Sequence, residues 1–241
     1  MHQSLSRQKR RTKKVNVHNF KIVGGDTDSI MFCKPDMSPF SKEEQNNLLS
    51  EINSLLPEMI KFENDGVYSK VLYLRAKNYI MISEDGKRKI KGSALKSSTL
   101  EPIIKKMLQR MVDVLLEDNK EEMVRIYHEH IRTVRDGIED IRPWSKKLTL
   151  SPKTFNSERL NETKIVDAIK GTEYKSGDRI YVYTKPDDTL RLVEKYDGEY
   201  DKPTYLQKLF KATSRFETVL PVKEMFLNYS LKKNKIALEN L

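Results

Sequence analysis

The sequence predicts an α+β fold in which strands come first and helices dominate from about residue 98. Three patterns lead there. Lys21-Ile22-Val23 and Ile30-Met31-Phe32 are short β-branched and aromatic runs on either side of Gly24-Gly25-Asp26-Thr27-Asp28-Ser29, the composition of a hairpin and its turn. Val71-Leu72-Tyr73-Leu74 and Tyr79-Ile80-Met81-Ile82 are two further strand-like runs, and Glu84-Asp85-Gly86 turns the chain back into a strand over 88–92. Ile103, Ile104, Met107, Leu108, Met111, Val112 and Leu115 then recur with helical period, as do Met123, Val124, Tyr127, Ile131 and Val134.

Taken in order, residues 1–19 are polar and basic. Arg7, Lys9, Arg10, Arg11, Lys13 and Lys14 set six cations within eight residues, a density that resists folding and suits a solvated tail or a mobile arm on phosphate. In the hairpin that follows, alternate strand residues share a face, so Asp26 and Asp28 are expected to project together beside the turn. Paired hard oxygen ligands suit Mg²⁺ held against phosphates. A calcium loop of the D-x-D-x-D-G type is excluded, because Ile30 and Met31 stand where an oxygen ligand and a glycine are needed. Two aspartates that merely cap the turn are the plainer alternative.

Past Pro35 and Pro39, Ser41-Lys42-Glu43-Glu44 marks the start of an amphipathic helix over 43–56, with Leu48, Leu49, Ile52, Leu55 and Leu56 turned toward the sheet. Ser97, Ser98 and Thr99 offer N-caps for the next helix, with Glu101 and Pro102 in its first turn. Asp118-Asn119 ends it, and a second helix over 121–137 is expected to pair antiparallel across the short link. His128 and His130 fall on different faces of that helix, which argues for packed or solvated side chains and not a shared metal. A strand is expected after Gly177-Asp178-Arg179, and terminal helices over 205–210 and 222–229.

Lys and Arg number 45 against 35 Asp and Glu in 241 residues, a formal charge of +10 that favours a polyanionic partner, nucleic acid before others. The single cysteine, Cys33, excludes an internal disulfide and, beside four His, a convincing zinc cluster, which points to a reducing compartment. No apolar run reaches the roughly 18 residues of a membrane span. A soluble, cytoplasmic protein is expected, with the nucleus as the alternative location.

The succession of apolar strand, Gly25-Asp26-Thr27-Asp28-Ser29 and apolar strand resembles motif C of the family B DNA polymerases, with Gly24 standing where a Tyr is usual. Lys77-Asn78-Tyr79 resembles the Lys-x-Tyr element of that family, and Lys91-Gly92 ahead of Lys96-Ser97-Ser98-Thr99 resembles the Lys-Gly turn after it, especially in phage-type members. Residues 145–151, with Lys146 and Lys147, are similar to the family's basic thumb segment, and 167–171 with 176–183 to a late thumb pattern. The resemblance holds in family order from about residue 20 to 229.

It implies a basic tail (1–19), the C-terminal part of a palm (20–97) whose partial sheet carries the catalytic hairpin, and a mainly helical thumb (98–241). It further implies Asp28 as direct ligand of Mg²⁺, Asp26 as the hairpin neighbour that shapes the catalytic site, Lys77, Tyr79 and Lys91 on the primer-template duplex, and Lys146 and Lys147 on its backbone, with dNTP as the second substrate. The family's other palm aspartate, its fingers helix with Asn-Ser-x-Tyr-Gly and its exonuclease carboxylates do not occur; residues 223–229 have the wrong spacing. The resemblance thus implies part of a split or truncated DNA-directed DNA polymerase, inactive alone and completed by an N-terminal polypeptide with exonuclease, remaining palm and fingers. A non-catalytic, basic DNA-binding accessory protein derived from such a half is the alternative. A hydrolase using Asp26 and Asp28 finds no supporting His, Ser or Gly-rich phosphate loop.

Overall fold

A computed structural model describes residues 20–25, 28–92 and 100–229. The basic tail, Asp26, Thr27 and the cap candidates Ser97, Ser98 and Thr99 lie outside the described residues. The chain divides into two compact units, Met1–Ile90 and Lys91–Leu241.

In the N-terminal unit, β1 (Lys21–Gly25) and β2 (Ile30–Cys33) form the expected antiparallel hairpin. Its base is packed by Phe20, Phe32 and Phe40, whose ring centroids lie 5.3 to 5.8 Å apart. Helix α1 (Lys42–Ser54) starts on a full capping box: the Ser41 hydroxyl accepts from the Glu44 N–H at 3.1 Å, and the Glu44 carboxylate accepts from the Ser41 N–H at 2.7 Å. The same carboxylate takes the Lys34 ammonium at 2.7 Å, which ties the end of β2 to the helix and is the main reason its pKa lies below the usual range. Leu48, Leu49 and Ile52 are only half-buried and Leu55 is exposed, so α1 covers less than its periodicity predicts. Strands β3 (Tyr68–Arg75), β4 (Asn78–Ser83) and β5 (Arg88–Lys91) form a three-stranded antiparallel sheet in that order, whose buried residues are Leu74, Asn78, Ile80 and Met81.

In the C-terminal unit, α2 (Pro102–Leu116) opens on proline at its first position, where the missing N–H costs nothing. The side chain of its cap residue Glu101 is buried, makes no capping bond to the helix, and instead receives Lys208 at 2.8 Å. A three-residue link leads to α3 (Lys120–Asp136), capped by the Asn119 side chain, and Arg110 meets Glu129 across the pair at 2.7 Å, as antiparallel neighbours should. Met107, Met111, Met123, Tyr127 and Ile131 are fully buried between these helices and α6 (Lys202–Thr213).

Between them the chain forms β6 (Lys146–Thr149), α4 (Pro152–Phe155), α5 (Leu160–Ile169), β7 (Arg179–Thr184) and β8 (Leu190–Leu192). The three strands make a sheet of order β6-β7-β8, and Leu150, Ile169, Ile180, Val182 and Leu192 form its own small core against α5. Buried tyrosines bond across the fold. Tyr127 donates to the Leu227 carbonyl at 2.7 Å, and Tyr200 donates to the Val134 carbonyl at 2.7 Å while accepting from the Ile138 N–H. The last predicted helix is one turn, α7 (Val222–Met225); Phe226 and Tyr229 pack on Tyr127 from non-helical chain.

Both histidines of α3 are packed. His130 Nδ1 lies 2.8 Å from the Ile126 carbonyl beside the Trp144 ring, and His128 Nε2 lies 3.2 Å from the Tyr229 hydroxyl. Burial holds both pKa values below the ordinary one, for His130 against the raising effect of its bond to Ile126, and Arg110 and Lys106 add to the lowering while Glu129 opposes it. The folded unit therefore binds fewer protons than the unfolded chain. The contribution of these two neutral imidazoles to stability is full above the ordinary His pKa of about 6.5 and is lost as the pH falls below that toward their lowered folded-state values. The melting midpoint by circular dichroism is expected to be lower at pH 5.5 than at pH 7.5, and the difference should shrink in His130→Leu.

Candidate active site

The hairpin ladder pairs Lys21 with Cys33, Ile22 with Phe32, Gly24 with Met31 and Gly25 with Ile30. One extra residue, Val23, bulges from β1, and such a bulge sharpens the local twist and re-aims the side chains beyond it. Asp28 is exposed and stands in the bend ahead of β2. Asp26 lies outside the described residues.

Beside β1 stands Tyr73 of β3. A Cβ atom at Gly24 would come 2.6 Å from Tyr73 Cε2 and 2.9 Å from Cδ2, closer than carbon atoms approach. Tyr73 is the cross-strand partner of Tyr79, and their rings stack with centroids 6.0 Å apart and planes 6° from parallel. Between the two strands, Ala76 and Lys77 form a tight turn. Lys77 has φ +61°, a left-handed conformation, and the buried Asn78 amide closes the turn by donating to the Ala76 carbonyl at 2.9 Å. The sequence leaves residues 75–78 between or within the two strand runs; Lys77 stands at the loop tip with its side chain exposed.

Lys91 is exposed at the end of β5, and Gly92 after it has φ +88°, which agrees with a turn there. Its neighbour Lys89 is engaged with Asp65 and the Tyr68 hydroxyl, each at 3.2 Å. Lys146 and Lys147 are exposed on β6 of the other unit. Lys147 pairs with Tyr181 of β7, and the Tyr181 ring lies 5.9 Å from the Lys147 ammonium and 4.8 Å from the Arg142 guanidinium. Arg142 and Tyr73 escape a reading by motif. Tyr73 is recoverable from register once the loop is known to be two residues long.

Among the described residues no three His, Cys, Asp or Glu side chains come together as a metal cage. The donor present, an exposed aspartate, is a hard oxygen ligand of the kind Mg²⁺ takes one or two at a time beside water and substrate phosphates. The residues fit the ion as one share of a site.

The sequence model of DNA polymerase family B matches residues 1–218. The chain belongs to DNA polymerase family B. A DNA polymerase of Archaeoglobus fulgidus is 28% identical over 193 residues, 75% of this chain and 24% of that protein. DNA polymerase 1 of Aeropyrum pernix is 27% identical over 193 residues, again 75% of this chain and 19% of the relative. The family B DNA polymerase of Pyrobaculum calidifontis superposes with a TM-score of 0.62 at 18% identity, over 85% of this chain and 27% of that one. The chain spans about a quarter or less of the length of these family B relatives. Among the described residues no helix is long and apolar enough to cross a membrane.

The left-handed turn of this family B chain gives a stability test. Lys77→Gly should raise the urea midpoint and Lys77→Val should lower it, each by the equivalent of about 1 kcal/mol, since only glycine takes that backbone without strain.

Proposed function

We propose that this chain is the C-terminal palm and thumb part of a family B DNA-directed DNA polymerase, which acts in nucleotidyl transfer only when joined by a polypeptide carrying exonuclease, remaining palm and fingers. The observation that carries the reading is a hairpin with exposed Asp28 at its turn, in a family B chain that covers about a quarter of its relatives. On this reading the palm part is 20–97 and the thumb 98–241, with the basic tail 1–19 on phosphate. Ile22, 76% exposed, and Ile30, 57% exposed, then form an apolar face that the missing palm would cover.

Asp28 and Asp26 would hold Mg²⁺, with Asp28 the direct ligand and Asp26 its hairpin neighbour that shapes the site. The ion, when bound, neutralises charge on the nucleotide phosphates and orients them for in-line displacement. Lys77 presents its ammonium from the loop tip to the primer-template backbone, Tyr79 presents its stacked ring beside it, and Lys91 extends the basic edge. Lys146 and Lys147 grip the duplex backbone. None of these contacts reads base sequence, so binding is general for duplex DNA.

Mixed with the N-terminal polypeptide, the chain should extend a labelled primer with Mg²⁺ and dNTPs. Asp28→Asn should abolish extension while duplex affinity stays within about twofold, because a neutral amide keeps the shape and loses the charge that holds the ion. Asp26→Asn should be milder, and Lys77→Ala should weaken duplex binding with the Mg²⁺ requirement unchanged. Extension at the parental rate by Asp28→Asn would remove the hairpin from the chemistry. Duplex binding without any extension on mixing would favour the accessory DNA-binding role.

The chain alone should bind primer-template DNA weakly, and the affinity should fall by at least about tenfold between roughly 50 and 200 mM salt, as several phosphate contacts require. An affinity indifferent to salt in an anisotropy titration would contradict the assignment of the lysines.

A further inference from the structure

We infer that Tyr73 is a positioning residue that sets the aspartate hairpin against Tyr79, an inference that rests on the polymerase reading. Its ring touches both. On one side the Cδ2–Cε2 bond lies against the backbone of Gly24, so close that a Cβ there would force the ring to shift. Gly24 is not among the glycines with positive φ, so the need for glycine is one of space and not of backbone conformation. The Met31 methyl, 3.4 Å from the same point, closes the slot from β2. The other contact is the stack on Tyr79, whose ring is parallel to that of Tyr73 within 6°.

The chain position of Gly24 gives this contact its consequence. It lies just beyond the Val23 bulge, opposite Met31, and two residues ahead of Asp26 at the edge of the turn that holds Asp28. The hairpin β1-β2 and the sheet β3-β4-β5 share no ladder, so their relative placement here is set by side-chain packing. Ordinary carbon contacts need roughly 3.5 Å, so admitting a Cβ at residue 24 would drive the Tyr73 ring by about 1 Å, and its stack on Tyr79 would slide with it. Removing the ring leaves Tyr79 without its cross-strand support and leaves β1 without its stop. Tyr73 thereby sets the distance between the carboxylate turn and the ring assigned to the duplex. It touches neither metal nor DNA itself.

The test uses the full chain and a fluorescent primer-template duplex, with affinity read by anisotropy and folding by circular dichroism. Tyr73→Ala should weaken duplex binding about fivefold, the size of one lost aromatic pair. Tyr73→Phe, which keeps the ring, should restore the affinity. In a Tyr79→Ala background the further change Tyr73→Ala should cost almost nothing, because its effect runs through Tyr79. A role confined to folding would lower the melting midpoint in both backgrounds and leave affinity alone, and that result overturns the inference. So does a Tyr73→Phe variant as weak as Tyr73→Ala, or an equal loss of affinity with and without Tyr79. Should Tyr73→Ala fail to fold, Gly24→Ala carries the test, since it displaces the ring without removing it. It should weaken binding in the parental chain and not in Tyr79→Ala, and parental affinity for Gly24→Ala overturns the inference. If Tyr79→Ala binds as the parental chain does, the duplex role of Tyr79 falls and this inference with it. If Tyr79→Ala weakens binding and Tyr73→Ala does not, positioning alone is refuted.

Discussion

The N-terminal unit depends on one close contact, the Tyr73 ring against the Gly24 backbone, because it joins two small sheets that exchange no ladder hydrogen bonds. Ladder bonds fix register in steps of one residue. Packing fixes separation continuously, through a repulsion that rises steeply inside contact distance. The absence of a Cβ at residue 24 lets a strand approach an aromatic ring more closely than any other residue would allow, and glycine in a strand, otherwise a weakening choice, is explained by that approach. The bulge at Val23 belongs to the same arrangement, since it bends β1 just where the ring meets it.

Charge is distributed in two ways. Many surface carboxylates have a cation at hand: Glu44 with Lys34, Asp85 with Lys87, Asp65 with Lys89, Glu122 with Arg125, and Asp197 and Glu199 with Lys185. Such exposed pairs add little stability, and beyond a Debye length of about 10 Å each is nearly neutral. They hold loops in shape, as Lys185 does between two acids. The surplus of ten cations, 45 less 35, is what a polyanion senses at range.

Much of this architecture was legible because local chemistry and long-range packing agree. The 21–33 hairpin, the helix start at Ser41 and the buried faces of α2 and α3 each follow from residues near in sequence. Other parts depend on partners distant in sequence. Val222, Phe226 and Tyr229 have helical spacing, yet only one turn forms, because Phe226 and Tyr229 pack on Tyr127 from non-helical chain and a short terminal helix is marginal by itself. Lys146–Thr149 and Leu190–Leu192 are too short and polar to announce strands, and pairing with β7 makes them so. The turn at Lys77 carries no sequence signal, because a lysine adopts a backbone that statistics assign to glycine or asparagine. Of the candidate site, the motif residues were visible in the sequence. Tyr73 was hidden, since its role is geometric and its neighbours on β1 are some fifty positions away.

A hairpin of two strands is marginal by itself, so what anchors it decides how well its turn is held. Here the anchors lie behind the turn: the Phe20, Phe32 and Phe40 cluster with the Lys34–Glu44 pair at the base, and Tyr73 at Gly24. Asp28 lies ahead of both, exposed on the bend. Ile22 and Ile30 remain on surface that neither anchor covers, at 76% and 57% exposure. Apolar contact made there would stiffen the strands on either side of the turn without touching the aspartate, leaving its carboxylate open to a cation and phosphates. The anchors fix where the turn points, and a surface laid over Ile22 and Ile30 would fix how firmly it stays there.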